Sequence, residues 1–219
     1  MTRPSAILFD LDGTLLESEH LYSDIGAEMV EAAGGAWTEA DRLASVGTAL
    51  PDFSVLLQRA GLARPTSEIV AAVVDHVTER MRAAVPWRPG ALELLDSVEA
   101  AGLPCALVTM TYRDTVSVLL DQSEALPFDV VITGDDVVHG KPHPEPYLLA
   151  ARHLGVAPEK CVAIEDSVLG LTSAGRAGLT RIAVPLDAEI DSDLYEARWG
   201  TLLGRSVADI LDVWRRCSA

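Results

Sequence analysis

The chain has 219 residues, 49% of them apolar, enough for one large domain or two modest ones with a sizeable buried core. Acidic residues outnumber basic ones 33 to 17, for a formal net charge of −16. Nucleic acid and anionic membrane surfaces are therefore poor partners, because both need clustered Lys and Arg. The first predicted element is a buried strand over Ala6 to Leu11, inside the run Ile7-Leu8-Phe9-Asp10-Leu11-Asp12-Gly13-Thr14-Leu15. Alternate residues of a strand point the same way, so Asp10 and Asp12 can face one pocket while Leu11 faces the core. Gly13 permits a sharp turn without a Cβ clash. Two carboxylates this close raise each other's pKa, and a hard divalent cation such as magnesium, often bound together with a substrate phosphate, removes that cost.

The next ninety or so residues read as helical: Glu19 to Ala33, Thr38 to Ser45, Asp52 to Gly61 and Ser67 to Val85. This is too long for one crossover helix, so residues 16–86 read as an inserted helical domain, and residues 1–15 with 87–219 as the core. Gly34-Gly35, Gly47, Pro51, Gly61 and Pro65 punctuate the insertion, and Pro86 and Pro89 bracket its return. Strands then alternate with helices. The strands are Cys105 to Thr109, Val130 to Thr133, Cys161 to Glu165 and Arg181 to Val184; the helices are Ala91 to Ala101, Tyr112 to Leu120, Pro144 to Leu154 and Val168 to Ala177. Several helices stop at a glycine just past their last turn. The strands are nearly continuous apolar runs, as expected of strands covered on both faces. The pattern predicts an α/β fold, a doubly wound parallel sheet with an inserted α-helical cap. Residues Asp187 to Gly200 read as irregular and acidic, and Ser206 to Arg216 as a closing helix.

Cys105, Cys161 and Cys217 are too few and too scattered for a disulfide framework or a zinc knuckle, and the first two each open an apolar run, as small core residues do. This usage fits a reducing cytoplasm. Asp10 and Asp12 interrupt the one N-terminal apolar stretch, so a signal peptide is not expected, and no run reaches the ~18 apolar residues of a membrane span.

In open parallel sheets, ligands bind beyond the carboxyl ends of the strands. Asp10 and Asp12 follow the first strand and Thr109 ends the second. Lys141 follows the third, in Gly140-Lys141-Pro142-His143-Pro144, and Glu165 and Asp166 end the fourth. The pattern Asp10-x-Asp12-Gly13-Thr14-Leu15 resembles the first motif of the haloacid dehalogenase-like superfamily. The whole layout resembles its subfamily with a helical cap, which includes phosphoglycolate phosphatase-like and β-phosphoglucomutase-like members. The resemblance implies a magnesium-dependent phosphatase acting on a small phosphorylated metabolite. In it Asp10 attacks phosphorus and forms an aspartyl-phosphate, and Asp12 serves as general acid and then general base. Thr109, the backbone N–H of Met110 and Lys141 bind the phosphate, and Lys141 also offsets the carboxylates and holds the nucleophile. The metal ligands implied are Asp10, the backbone carbonyl of Asp12, and Asp166, with Glu165 supporting from behind. Met110 departs from the small polar residue often found there, either as an apolar contact for substrate or as core packing. Gly47 and Thr48 stand where relatives place a substrate-specificity loop.

A β-phosphoglucomutase-like phosphomutase shares these motifs and stays open. A dehalogenase fits worse, because that branch does without magnesium and its motif is expected to lack the second aspartate. A phosphorylatable receiver is disfavoured by the large insertion after the first strand, and a catalytically silent binding protein by the intact set of candidate residues. His139, His143 and His153 lack metal-site spacing. Arg42 and Arg59 read as helix-surface ion pairs, and Trp37 and Trp87 as packing anchors. The default expectation is a cytoplasmic monomer.

Overall fold

The computed structural model describes residues 3–45, 48–122, 126–186 and 189–217. The chain forms β1 (Ala6–Phe9), then α1 (Glu19–Ala32), α2 (Glu39–Ser45), α3 (Leu50–Arg59) and α4 (Thr66–Ala83), then α5 (Ala91–Ala100) and β2 (Cys105–Val108). It continues through α6 (Arg113–Gln122), β3 (Val130–Ile132), α7 (Glu145–Leu154), β4 (Cys161–Glu165), α8 (Val168–Arg176), β5 (Thr180–Ala183), β6 (Ala197–Arg198) and α9 (Val207–Cys217). The strands form one parallel sheet in the order β3-β2-β1-β4-β5-β6. This is the doubly wound arrangement, and its order reverses between β1 and β4, where such sheets open a crevice. Among the described residues no helix is long and apolar enough to cross a membrane.

β1 and β2 are wholly apolar and fully buried because both faces of the sheet are covered there. Along β1, Ala6 and Leu8 join a cluster with Tyr147, Ala150 and Ala151 of α7 and Ala174 of α8. Ile7 and Phe9 point the other way, into a larger cluster with Leu94 and Val98 of α5, Ile210 and Val213 of α9, and the apolar faces of the inserted helices. The same alternation divides Cys161 and Ala163 from Val162 and Ile164 along β4. Burying a side chain such as Phe9 contributes about 1.5–3 kcal/mol. Cys105 and Cys161 lie fully in this core.

The four helices α1–α4 form a cap inserted between β1 and α5. The chain leaves and re-enters the core along paired segments. Leu16 bridges Trp87 in antiparallel fashion, Glu17 N–H donates to Pro86 O at 2.8 Å, and Arg88 N–H donates to Leu15 O at 2.8 Å. The buried guanidinium of Arg88 donates to the carbonyls of Gly13 and Val184, tying this crossing to the turn after β1. The cap also rests on the core through α4 and α6, where the hydroxyls of Thr78 and Thr115 lie 2.8 Å apart.

Two boundaries differ from the sequence reading in an instructive way. β1 ends at Phe9, and Asp10 and Asp12 lie in the turn that follows. The ladder extends one bond further, with Asp10 N–H donating to Ile164 O at 3.0 Å, before Gly13 turns the chain at φ 78°. The segment read as irregular contains β6, a two-residue edge strand. Ala197 and Arg198 carry no apolar run, because an edge strand is covered on fewer sides.

Candidate active site

The carboxyl ends of β1, β2 and β4, together with α1, α3 and the loop carrying Lys141, enclose a cavity holding about 770 Å³ of empty space, its open mouth included. Asp10, Asp12, Tyr22, Ser45, Thr48, Leu50, Phe53, Met110, Thr111, Lys141, Asp166, Ser167 and Leu169 line it. The cavity lies at the order reversal of the sheet, and strand-end residues far apart in sequence meet there.

Lys141 organises the floor. Its Nζ donates to Asp10 Oδ1 at 2.6 Å, to Glu165 Oε1 at 2.6 Å and to Val108 O at 2.9 Å. An ammonium has three N–H donors, and all three are used. Burial opposes the charge on Lys141, but the carboxylates of Asp10 and Glu165 outweigh that and raise its pKa. Tyr147 of α7 donates its hydroxyl to the same Glu165 Oε1 at 2.7 Å, and Ser167 Oγ donates to Oε2 at 3.3 Å. Burial and the charge of Glu165 hold the Tyr147 hydroxyl well above its usual pKa, so it remains a donor. Glu165 is thus fully buried and held by protein groups on both oxygens.

Asp10 differs from it. One oxygen is clamped by Lys141, while Oδ2 is buried with no hydrogen-bond partner among the described residues. Burial, then repulsion from Glu165, pushes the Asp10 carboxyl up to about 7 despite the nearby ammonium. A buried carboxylate oxygen without a partner is costly. Asp10, Glu165 and Asp166 each present a carboxylate oxygen, all within 4.8 Å of one another. A buried cluster of hard oxygen donors that includes an unspent one suits a magnesium-type cation. Thr14 Oγ1 donates to Asp166 Oδ1 at 3.3 Å, from the turn after β1.

Asp12 turns to a different set of partners. Ser18 Oγ donates to its Oδ1 at 2.7 Å, and Thr109 Oγ1 donates to Oδ2 at 3.2 Å. Thr111 Oγ1 donates to the same Oδ2. Tyr22 of α1 lies 2.8 Å from Thr111 Oγ1, and since that hydroxyl gives its proton to Asp12, the phenol donates to it. Thr109 therefore sits behind Asp12, fully buried and away from the cavity lining, and its oxygen also accepts from Thr111 N–H at 3.0 Å.

The other sequence candidates fall as follows. Met110 both lines the cavity and packs on the Lys141 loop: its Sδ accepts from Lys141 N–H at 3.4 Å, and a Cβ on Gly140 would come within 2.8 Å of it. Thr48 lines the cavity, while Gly47 lies outside the described residues. Arg42 pairs with Asp24 at 3.0 Å, and Trp37 packs edge-on against Phe53, as a packing anchor does. Ser18, Tyr22, Thr111 and Tyr147 enter the site without having been singled out from sequence. Thr111 had one available cue, a second hydroxyl residue two positions after Thr109. The others depend on how the cap and α7 fold over the sheet.

Comparison with known proteins identifies the family. Residues 4–178 match the haloacid dehalogenase-like hydrolase family. Protein CbbY from Rhodobacter capsulatus is 32% identical over 206 residues, covering 89% of this chain and 91% of that protein. The phosphorylated carbohydrates phosphatase of Thermotoga maritima is 33% identical over 179 residues, 81% of this chain and 83% of that one. A crystal structure of a CbbY variant from Rhodobacter sphaeroides in complex with xylulose-(1,5)bisphosphate aligns with a TM-score of 0.81 at 30% identity, over 94% of this chain and 98% of that chain. The matched span takes in Asp10, Asp12, Thr109, Lys141, Glu165 and Asp166, the residues that converge at the sheet's switch point, and the chain belongs to the haloacid dehalogenase-like hydrolases.

Proposed function

We propose that this hydrolase is a magnesium-dependent phosphatase that cleaves a small phosphorylated metabolite through an aspartyl-phosphate. The observation that carries the reading is the state of Asp10: one oxygen held by Lys141, the other buried, unpaired and beside a cavity lined by carboxylates. A positioned carboxylate is a competent nucleophile toward phosphorus. Asp10 forms the new P–O bond as the bond to the leaving alkoxide breaks, and Asp12 delivers a proton to that alkoxide. A water then attacks the phosphorus of the aspartyl-phosphate, Asp12 takes its proton, and inorganic phosphate leaves with Asp10 restored.

Asp10, Asp166 and the backbone carbonyl of Asp12 are the groups that would hold the magnesium, whose positive charge offsets the carboxylates and the phosphate when it is bound. The hydroxyls of Ser18, Thr109 and Thr111 aim the Asp12 carboxylate, and Thr109 serves the phosphate through this positioning. Lys141 keeps Asp10 in place, with Glu165 and Tyr147 behind it, and the N–H of Met110 would donate to the phosphate. We take residues 16–86 as the cap that closes over the site; the paired crossing at Leu16 and Trp87 supports that division. A mutase would use the same carboxylates, but hydrolysis is favoured by the relative named as a phosphatase.

The test is turnover of an aryl phosphate with magnesium and again with a chelator. Activity should vanish with chelator and in Asp10→Asn. Magnesium-dependent turnover near wild type in that variant would overturn the mechanism.

A further inference from the structure

We propose that the substrate of this site carries one phosphate only, and that the rest of it is uncharged and presents apolar surface, so that bisphosphates are selected against. The proposal rests on the phosphatase reading above and concerns which phosphomonoester the cavity accepts.

Charge carries the first half. Three carboxylates line the cavity, Asp10, Asp12 and Asp166, against a single Lys or Arg among the described residues, Lys141. The donors of Lys141 are already spent on Asp10, Glu165 and Val108 O. None of the undescribed residues is a Lys or an Arg. Arg42, one helical turn before the cavity residue Ser45, is engaged by Asp24 at 3.0 Å and Ser23 at 3.2 Å. The acidic cluster would hold a cation for the reacting phosphate alone. A second phosphate further out would bring close to two negative charges into a carboxylate-lined space with no uncommitted cation to meet them. Like charges at short range in a partly dry site repel strongly, and juxtaposed like charge is an effective means of rejecting a wrong ligand.

The second half comes from the remaining wall. Leu50 and Phe53 of α3, Met110 after β2 and Leu169 of α8 all face the cavity. Met110 is pinned by the Gly140-Lys141 backbone, so this surface is built and not a stray exposed side chain. Ser45 and Thr48 offer only neutral hydroxyls beside it. A leaving group with an apolar segment gains from burial against these side chains, and a uniformly polar one does not.

The experiment compares kcat/KM with magnesium for loss of the 6-phosphate from three esters: a hexose 6-phosphate, the matching hexose 1,6-bisphosphate, and a phenyl glycoside of the same hexose 6-phosphate. The expected order is phenyl glycoside above monophosphate, by at least threefold, and monophosphate above bisphosphate, by at least tenfold. Leu50→Arg, and separately Thr48→Arg, should narrow the gap between monophosphate and bisphosphate by supplying the missing cation. A bisphosphate turned over as well as its monophosphate, or a phenyl glycoside no better than the hexose 6-phosphate, overturns the proposal while leaving the phosphatase reading intact. No magnesium-dependent turnover of any of the three overturns both.

Discussion

Gly170 shows how one residue can set the geometry of the site. It sits in the first turn of α8, where alanine is intrinsically the better helix former by about 1 kcal/mol. A Cβ there, however, would lie 1.8 Å from Glu165 Oε1, 1.9 Å from Cδ and 2.0 Å from Oε2. The carboxylate would have to move, and Lys141, Tyr147 and Ser167 would each lose an acceptor. Overpacking combined with a broken buried ion pair should make Gly170→Ala about 3 kcal/mol less stable, despite its better propensity. A denaturant midpoint at or above wild type would refute this account of Glu165. Asp10 gives a second prediction at this scale. Its carboxyl, lifted to about 7 by burial and Glu165, is largely protonated below neutrality, and a protonated carboxyl does not ligate a cation. Magnesium affinity should therefore rise with pH, level off above pH 7, and fall about tenfold for each unit below it. Calorimetric titration between pH 6 and 8 reads this directly. Asp10→Asn should weaken binding and flatten the dependence, and an affinity flat with pH in the wild type would count against Asp10 as a ligand.

At the scale of elements, α1 links the cap to the chemistry. Its Tyr22 donates to Thr111, which in turn donates to Asp12, so a helix of the insertion helps aim a side chain of the core. Burial and the charge of Asp12 keep the Tyr22 hydroxyl protonated well beyond its usual pKa, so the link persists over the working pH range. Tyr22→Phe keeps the ring and removes the link. It should lower kcat about tenfold, near 1.4 kcal/mol of barrier, with a smaller change in KM. A change confined to KM would instead make Tyr22 a substrate contact. The same helix marks the limit of what the sequence reveals. β1, β2 and β4 are legible because burial on both faces leaves an unbroken apolar run, and the helices because glycines or prolines bound most of them. Asp10, Asp12, Lys141, Glu165 and Asp166 are legible as a group because each follows or ends a strand whose tip must converge with the others in a parallel sheet. Ser18, Tyr22 and Tyr147 are not, because nothing periodic singles them out, and the partners of Tyr22 and Tyr147 lie on elements distant in sequence. Tyr147 in particular reads as an ordinary core residue of α7, and only the fold shows its hydroxyl meeting Glu165. β6 escapes for the opposite reason: two edge residues, one of them charged, leave no apolar signal.

For the molecule as a whole, the net charge of −16 opposes the approach of any phosphorylated substrate. The site counters this locally, with Lys141 and with donors that suit a cation, but those act only at contact range. Approach from outside is governed by the summed field, and that field is screened over about 30 Å at 0.01 M salt and about 8 Å at 0.15 M. For most enzymes that bind anions, a positive cleft draws the substrate in and salt slows the encounter. Here the sign is reversed. With magnesium held fixed and saturating, raising monovalent salt from 0.01 to 0.15 M should increase kcat/KM for a phosphomonoester severalfold, through faster association, while kcat stays nearly constant. The dependence should be steeper for a dianionic ester than for a monoanionic one, because the repulsion scales with substrate charge. Steady-state kinetics over that range, at fixed pH, measures both. A kcat/KM that falls with salt would mean that a positive surface, one not evident from the residues lining this cavity, guides the substrate to Asp10.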